Sequence, residues 1–510
     1  MNVQDRYITD DAGRILMLRG CSLGEGPSNP APGGADLGRG GEFSPEEAEE
    51  HFALLSSRGF TFIRLPLTWE ALEHEGPGIY DEAYPAYLRK ILLIAEKRGL
   101  SVFITPGRKG RQTGWEGFPP WVPEKFGFDA ERRESAKAYA LSTLFTLFFA
   151  GNAFAPELFI DGVRAQDWLQ ERYLAALRHC YRRLKNCAAL AGWSAMGEPK
   201  RGFIGAENLA APNGVFPSPF QSMAAASGYK GISLFKPGYG CPWKQAGVWT
   251  DEGGKPRLLK EDYFYLFREK RVCFADDFLK PLIRRFTEQM REIRKKAIIL
   301  VEGVPGEGPL QWRPEDGPGA VYAFSFSGNK KPEAGGADHV PADFSDFFEE
   351  NRFIREGPAD IPCLAGAWDP PAEGPSRYYD FLDKNLIHGA VETYRPDAPL
   401  EGMTRPYPLA TAGLPLSIHW DPERSRFTYR YRSNPDIGPP TEIYIPPAQS
   451  RGEPGFALEI REPESGPEAA MIRAFYDPRQ GKGIIANDGY RGDIEIVITF
   501  SERKNSSIRF

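Results

Sequence analysis

The chain lacks the cysteine pattern of a zinc or redox protein. Its six cysteines (Cys21, Cys180, Cys187, Cys241, Cys273 and Cys363) are scattered, and no two of them form a CxxC pair. Structural zinc sites and thioredoxin-like sites use such pairs, so the spacing excludes both classes and predicts no metal and no cofactor. Scattered single cysteines are typical of buried, reduced thiols, and we therefore expect a cytoplasmic protein.

The chain also lacks an apolar run long enough to cross a bilayer. The longest candidate, residues 140–155, is too short and contains polar side chains. It is either a helix packed on the rest of the fold or an apolar lip near a lipid. The first 14 residues are polar and do not resemble a signal peptide. The sequence thus predicts no transmembrane segment and leaves peripheral membrane contact open.

Positive charge is not in excess. The net charge is −6, and no stretch forms a basic stripe. Nucleic-acid-binding proteins usually carry such a stripe, so we expect no nucleic-acid partner. With 41 % hydrophobic and 26 % charged residues, the composition is that of a globular protein. The 54 glycines and 46 prolines occur together with many aromatic residues, which indicates long ordered loops.

What the first 395 residues do contain is a regular alternation of strand and helix patterns. Short apolar runs that end at Gly or Pro alternate with stretches of helical periodicity. Ser44-Pro45-Glu46-Glu47 forms a capping box that predicts the start of one helix. Eight strands are predicted, at residues 15–20, 60–66, 100–106, 190–197, 297–302, 320–325, 361–365 and 389–394. Eight such units predict a (β/α)8 TIM barrel over residues 1–395, with the chemistry at the carboxyl ends of the strands.

After residue 395 the helical patterns stop. Short strand-like runs are separated by turn residues, at 427–432, 442–446, 457–461, 483–486 and 493–500. This pattern predicts a C-terminal antiparallel β-sandwich domain over residues 396–510.

The fourth predicted strand ends in Gly197-Glu198-Pro199, directly after a buried apolar run. Pro199 biases Glu198 toward an extended conformation. A buried parallel strand that ends in this way delivers one carboxyl group to the rim of a barrel. Glu198 is therefore the first candidate catalytic residue.

Several stretches together resemble glycoside hydrolase family 5, and its endoglycoceramidase-like branch with the intracellular glucocerebrosidases and steryl-β-glucosidases in particular. The resemblance runs in order along nearly the whole chain. Its pieces are LRGCSLG (18–24), IRLPLTWEALEHEGPGIYDEAY (63–84), FTLFFAGNAFAPE (145–157), IDGVRAQDWLQ (160–170), GWSAMGEPKRGFIG (192–205), FPSPFQSM (216–223), WKQAGVW (243–249), RPYPLATAG (405–413) and PTEIYIP (440–446).

The resemblance implies a retaining β-glycosidase mechanism with two glutamates about 5 Å apart. It gives Glu198 the acid/base position and Arg64 the position of the arginine that holds the nucleophile. Much of the family's remaining catalytic set is replaced. On the third strand the family has Asp-Pro-His, and this chain has Thr105-Pro106-Gly107. Gly197 occupies the position of an asparagine, and Ser325-Phe326-Ser327 that of His-Trp-Tyr. Glu392 occupies the position of the eighth-strand tryptophan.

The nucleophile position is the decisive one. The family has a glutamate after the seventh strand, and Ala367 stands there in this chain. A methyl group cannot attack an anomeric carbon. Asp369 and Glu392 are the candidate replacements, and Glu302 at the end of the fifth strand is a third carboxylate in reach of the barrel end. We expect Arg64 to face Glu198 and to pair with Glu198, Asp369 or Glu392, because an unpaired buried arginine is costly.

Four tryptophans in the loops are candidates for substrate contact, namely Trp115, Trp121, Trp243 and Trp249. Aromatic faces stack on sugars or meet lipid chains, but aromatic residues equally anchor long loops, and both interpretations stay open. Ser325 is the candidate polar contact on the sixth strand.

Three hypotheses about function follow. The first is a non-catalytic protein that binds a β-glycoside or glycolipid. The second is an active β-glycosidase on glucosylceramide-like or steryl-glucoside-like substrates, with a relocated nucleophile or an inverting mechanism. The third is a protein-interaction scaffold. Carboxyl separations of roughly 5 Å for retention, or 6.5–9.5 Å for inversion, separate the two enzymatic mechanisms from the other hypotheses.

Overall fold

The fold class predicted from the sequence is confirmed: a closed eight-stranded parallel barrel is followed by an antiparallel sandwich. The computed structural model describes residues 1–23, 44–107, 115–129, 134–197, 199–212, 217–304, 310–327, 361–368, 375–391, 405–446, 456–462 and 467–500. The predicted domain boundary near residue 395 lies outside them.

The barrel strands follow the predicted series closely. In chain order they are Arg19–Ser22, Phe62–Leu67, Ser101–Pro106, Leu190–Ser194, Ile298–Glu302, Ala320–Ser327, Cys363–Trp368 and His388–Val391. The first one corrects the prediction for residues 15–20. Ile15–Leu16 pairs with residues 410–411 in the sandwich, and the barrel strand begins only at Arg19. One apolar run therefore serves two sheets.

Barrel helices follow the first, second, third, fourth and seventh strands, as the alternation predicts. The long ones are Pro45–Ser57, Ala83–Lys97, Ala165–Leu184, Lys280–Ile293 and Pro375–Asn385. The capping box is confirmed, since the Ser44 hydroxyl accepts from the Glu47 amide and the Glu47 carboxylate accepts from the Ser44 amide. A π-helical turn, Ala275–Leu279, directly precedes the helix Lys280–Ile293.

Two large insertions follow the third and the fourth barrel strands. They contain the helices Trp121–Lys125, Glu134–Phe154, Pro219–Ala226 and Pro242–Gln245, and the hairpins Phe159–Ile160/Val163–Arg164, Trp249–Glu252/Lys255–Leu258 and Leu266–Phe267/Lys270–Arg271. A short helix, Trp69–Leu72, follows the second strand. The apolar stretch at residues 140–155 belongs to the helix Glu134–Phe154, which packs on Ala165–Leu184. No helix among the described residues has the length and apolarity that a bilayer crossing requires.

The barrel interior is a packed core and not a pore. Side chains that alternate along the strands fill it, with Leu18, Phe62, Phe103, Leu300 and Leu364 among them. Phe62 and Phe103 meet edge to face, with ring centroids 5.6 Å apart. The filled interior leaves the carboxyl ends of the eight strands, which we call the mouth, as the place for a site.

The sandwich consists of two sheets that share one core. The first sheet has the order Asn2–Gln4, Tyr7–Thr9, Ile15–Leu16, Tyr407–Thr411, Thr441–Tyr444, Lys482–Asn487, Ile472–Asp477. The second has the order Gly413–Asp421, Arg426–Ser433, Asp493–Phe500, Phe456–Glu462. The sequence did not predict the strands at 407–411, 413–421 and 472–477. Pro408 and Pro415 interrupt the first two patterns, and a register shift occurs beside each proline.

The sandwich packs on the amino-terminal end of the barrel. Tyr407 donates from its hydroxyl to the Gly59 carbonyl at 2.6 Å, and Tyr444 donates to the Ser57 carbonyl at 3.0 Å. Both tyrosines lie in stretches that carry the family resemblance, RPYPLATAG and PTEIYIP. The two folding units thus form a continuous body.

Candidate active site

A buried ion pair spans the mouth of the barrel. Arg64, on the second strand, donates from Nη2 to Glu302 Oε1 at 2.5 Å, and Glu302 ends the fifth strand. Each side chain is 7 % exposed. A longer contact of 3.4 Å joins Arg64 Nη2 to Thr105 Oγ1 on the third strand. The Arg64 guanidinium is therefore held at the floor of the mouth, with its charge balanced by the Glu302 carboxylate.

Strand periodicity explains why these side chains meet. Arg64 follows Phe62 by two residues, and Glu302 follows Leu300 by two, so each lies one layer above a side chain of the barrel interior. The sequence identified both residues. Only the closed barrel brings the second and the fifth strand close enough to pair them.

The candidate acid/base Glu198 lies outside the described residues, but its neighbours are held firmly. The Gly197 amide donates to the Pro106 carbonyl at 2.8 Å, and Tyr173 donates from its hydroxyl to the Ala195 carbonyl at 2.7 Å. A Cβ atom at Gly197 would lie 2.7 Å from Thr105 Cγ2. The asparagine of the family therefore has no room at Gly197 while Thr105 keeps its position.

Ala367, which the resemblance assigns to the nucleophile position, lies on a regular strand. Ala367 belongs to Cys363–Trp368 and is in register with Phe326 on one side and Val391 on the other. Ser325 is on the neighbouring strand, in register with Gly366. Asp369 and Glu392 lie outside the described residues. The predicted pairing of Arg64 with Glu198, Asp369 or Glu392 stays a prediction, and Glu302 is a partner that the sequence did not assign.

The four candidate tryptophans are buried. Trp121 packs edge to face on Trp69 and Trp168. Trp243 donates to Thr143 Oγ1 at 3.2 Å and meets the ring of Phe264. Such contacts favour the interpretation that these aromatic rings anchor the two insertions, and their role toward a substrate stays a prediction.

Two features near Glu198 were missed in the sequence. Lys200 donates from Nζ to Glu116 Oε1 at 2.5 Å, which ties the segment after Pro199 to the insertion of the third strand. Among the described residues, the buried Ser194 Oγ atom at the end of the fourth strand has no hydrogen-bond partner. No sequence signal marks either, because both depend on which loops meet at the mouth. In the part of the chain that the structure describes, no group of three or more His, Cys, Asp or Glu side chains is placed to hold a metal ion.

Comparisons with known proteins agree with this geometry. Residues 405–466 match the glycoside hydrolase family 5 C-terminal domain. A glucosylceramidase of Rhizopus delemar is 30 % identical over 386 residues, which is 61 % of this chain and 56 % of the relative. The ergosteryl-beta-glucosidase of Saccharomyces cerevisiae is 29 % identical over 354 residues, 50 % of this chain and 46 % of the relative. The chain thus spans about half the length of the curated relatives it matches.

Solved structures show the same fold over nearly the full chain. Sterylglucosidase 1 of Cryptococcus neoformans, in a complex with tris, aligns with a TM-score of 0.79 at 20 % identity, and covers 98 % of this chain and 96 % of its own. Endo-glycoceramidase II from Rhodococcus sp. aligns with a TM-score of 0.64 at 17 % identity, covering 97 % and 100 %. By its C-terminal domain match, its named relatives and its fold, the chain is similar to the endoglycoceramidase-like branch of glycoside hydrolase family 5.

Proposed function

We propose that this protein recognises lipid-linked β-glycosides at the mouth of its barrel and hydrolyses them at no more than background rate. The ligand class is supported by the relatives, which are named as a glucosylceramidase and an ergosteryl-beta-glucosidase. The low activity is inferred from this chain's own residues.

The observation that carries the proposal is the alanine at the nucleophile position. Ala367 lies within the seventh barrel strand, in register with both neighbouring strands. A retaining glycosidase needs a carboxylate within bonding distance of the anomeric carbon, and alanine offers none. Glu198 could still protonate a leaving group, but general-acid assistance alone contributes only about 10²–10⁴-fold. This is far below the rate enhancement that glycoside cleavage requires.

The lost supporting groups point in the same direction. Gly107 and Gly197 carry no side chain that could hold a sugar hydroxyl, and Gly197 is packed against Thr105. Arg64, which the family uses to hold the nucleophile, pairs with Glu302. The mouth therefore keeps this arginine but lacks the supporting side chains that the family has at positions 107 and 197.

The alternative is an active hydrolase in which Asp369 or Glu392 replaces the nucleophile. Its support is that the curated relatives are named as hydrolases and that Arg64 is buried at the mouth with a carboxylate partner. Glycoside hydrolysis by the native chain is the experimental outcome that would favour this alternative.

We also propose that the protein works at the cytoplasmic face of a membrane. Cys180, Cys187, Cys241 and Cys363 are buried and form no disulfide among the described residues, which fits a reducing compartment. A lipid-linked glycoside resides in a bilayer, so a protein that binds it must approach the bilayer surface peripherally.

A binding titration tests the proposed recognition. Octyl β-glucoside, held below its micelle concentration, is titrated into the native chain in a calorimeter, and octyl α-glucoside is the matched control. We expect saturable binding of the β-anomer and at least about tenfold weaker binding of the α-anomer, which corresponds to about 1.4 kcal/mol. Absence of binding, or equal binding of both anomers, would contradict the proposal.

A further inference from the structure

Exposed apolar side chains concentrate in the two insertions at the mouth. Of the eleven large hydrophobic side chains that are exposed among the described residues, seven lie between residues 159 and 266. They are Phe159, Val163, Tyr229, Ile232, Tyr239, Leu259 and Leu266. Both insertions follow the carboxyl ends of barrel strands, so these side chains belong to the end of the barrel that carries the site.

The 229–239 loop carries the most exposed of these residues. Ile232 is 77 % exposed, and Tyr229 and Tyr239 flank it at 38 % and 54 %. Exposure of single apolar residues is ordinary. Three such side chains within one short loop form a patch that needs a physical explanation.

The loop is held in place by its backbone. The Leu234 amide donates to the Ala226 carbonyl at 2.7 Å, and the Asp129 amide donates to the Leu234 carbonyl at 2.9 Å. The Lys236 amide donates to the Gly127 carbonyl at 2.7 Å. Because these bonds fix the loop to the rest of the insertions, Ile232 is presented to solvent by a defined structure.

The charges of the loop fit a phospholipid surface. Residues 229–240 include Lys230 and Lys236 and contain no Asp or Glu. The Lys230 ammonium lies over the Tyr229 ring, 5.4 Å from its centroid. Tyrosine and lysine side chains favour the interface of a bilayer, where an apolar body and a polar tip are both satisfied.

A second apolar element lies close to the loop. Phe159 and Val163 belong to a hairpin whose tip residue, Asp161, accepts from Lys125 Nζ at 3.1 Å. Lys125 lies two residues before Gly127, and the Gly127 carbonyl accepts from the Lys236 amide of the loop. Tyr239 packs into the space over Gly127, where a Cβ atom would lie 2.0 Å from its ring. The hairpin and the loop therefore flank the same short segment.

We propose that the 229–239 loop docks the protein on a phospholipid bilayer, with Ile232 inserted between lipids, Tyr229 and Tyr239 at the interface, and Lys230 and Lys236 near the phosphates. The inference rests on the proposed function, because a lipid-linked glycoside would reach the mouth from that bilayer. The inference identifies the 229–239 loop as the element that contacts the bilayer.

Sedimentation with phosphatidylcholine vesicles, with and without phosphatidylserine, tests the docking. We expect the native chain to bind both, and more strongly when phosphatidylserine is present. Ile232→Ser should weaken binding at least about fivefold, since a buried aliphatic side chain contributes that much or more. Lys230→Glu should remove most of the dependence on phosphatidylserine.

Leu93→Ser and Phe475→Ser are the matched controls, because both side chains are about as exposed as Tyr239 and lie outside the two insertions. They should leave vesicle binding unchanged. Binding of octyl β-glucoside should be the same in Ile232→Ser and the native chain, so failure of the proposed function and failure of docking can be told apart. Docking is refuted if the native chain does not bind vesicles, if all three serine variants bind equally, or if Ile232→Ser only abolishes self-association.

Discussion

At the scale of single residues, the mouth is shaped by contacts that the sequence only partly reveals. Arg64 and Glu302 were both recognised as residues at strand ends, but their pairing depends on the closure of the barrel. The sequence showed that Gly197 occupies the position where the family has an asparagine. Its packing against Thr105 could not be foreseen, because Thr105 lies on the third strand and Gly197 follows the fourth, far apart in the sequence.

This packing makes a prediction about restoring the family residue. Gly197→Asn should destabilise the protein by about 1–3 kcal/mol, because the new Cβ overlaps Thr105 Cγ2. Thr105→Ser removes that methyl group, so the double variant should recover part of the loss. Urea denaturation of the two single variants and the double variant measures the coupling.

Gly303→Asn is the control at the mouth, since the nearest atom to a Cβ there lies 3.9 Å away. It should cost less than Gly197→Asn. Strict additivity of Gly197→Asn and Thr105→Ser would show that the overlap is not what excludes the asparagine.

A second residue-scale prediction concerns His388, which accepts a hydrogen bond on Nδ1 from the Leu18 amide. Burial, with Arg19 as a second cause, lowers the pKa of His388 from 6.5 to about 3. The unfolded chain therefore binds one more proton between these values, and stability falls as the pH decreases from about 6.5 toward 3. The slope from this residue is at most about 1.4 kcal/mol per pH unit.

His388→Asn keeps an acceptor for the Leu18 amide and does not titrate. The stability lost between pH 7 and pH 5 should be about 2 kcal/mol smaller in this variant than in the native chain. Urea denaturation at both pH values measures it, with the exposed His419→Asn as the control. An unchanged pH dependence in His388→Asn would contradict the assignment.

At the scale of elements, local patterns predicted the barrel strands well and the sandwich strands less well. The barrel strands are short apolar runs, and the second and third of them follow helices that end at Gly59 and Gly99, so these signals are local. The strand Ile15–Leu16 pairs with residues almost four hundred positions away, and nothing local marks that pairing. The tryptophans show the same limit, because burial depends on neighbours from other elements.

Two equivalent helix ends allow the barrel–sandwich contact to be measured. Gly59 and Gly99 each end a barrel helix with positive φ, +80° and +69°. A Cβ atom at Gly59 would lie 2.4 Å from the Tyr444 ring, whereas at Gly99 it meets no atom within 4 Å. Both alanine variants pay for the left-handed conformation, about 1 kcal/mol, and Gly59→Ala additionally disturbs the interface.

We expect Gly59→Ala to be less stable than Gly99→Ala by about 1–3 kcal/mol in urea denaturation. Equal losses would mean that the Tyr444 ring moves aside freely and that this contact contributes little to stability.

At the scale of the whole molecule, the barrel and the sandwich are joined by a buried charge network. Asp383, on the last barrel helix, accepts from Arg19 Nη2 at 2.9 Å and from Arg405 Nη2 at 2.6 Å. Arg405 also binds Asp380, whose side chain is 55 % exposed. Because Arg405 belongs to the sandwich and Arg19 to the barrel, Asp383 couples the two.

Asp383→Asn should therefore cost about 3–5 kcal/mol, since it leaves two buried arginines without their carboxylate. Asp380→Asn should cost less than about 1 kcal/mol, because the Asp380 carboxylate is exposed to solvent. In calorimetry the native chain should unfold in one transition. Two well-separated transitions in the native chain, or equal losses in the two variants, would contradict the coupling.

The central claim, that the fold has kept its ligand and lost its chemistry, is tested most directly by turnover. Glucose released from glucosylceramide and from octyl β-glucoside is measured for the native chain and for Glu198→Gln at equal concentration. The account predicts that both proteins release glucose at the rate of the protein-free control, and that Ala367→Glu alone restores little, because Gly107 and Gly197 still lack the supporting side chains. Robust release by the native chain that disappears in Glu198→Gln would contradict it and would assign catalysis to a relocated carboxylate.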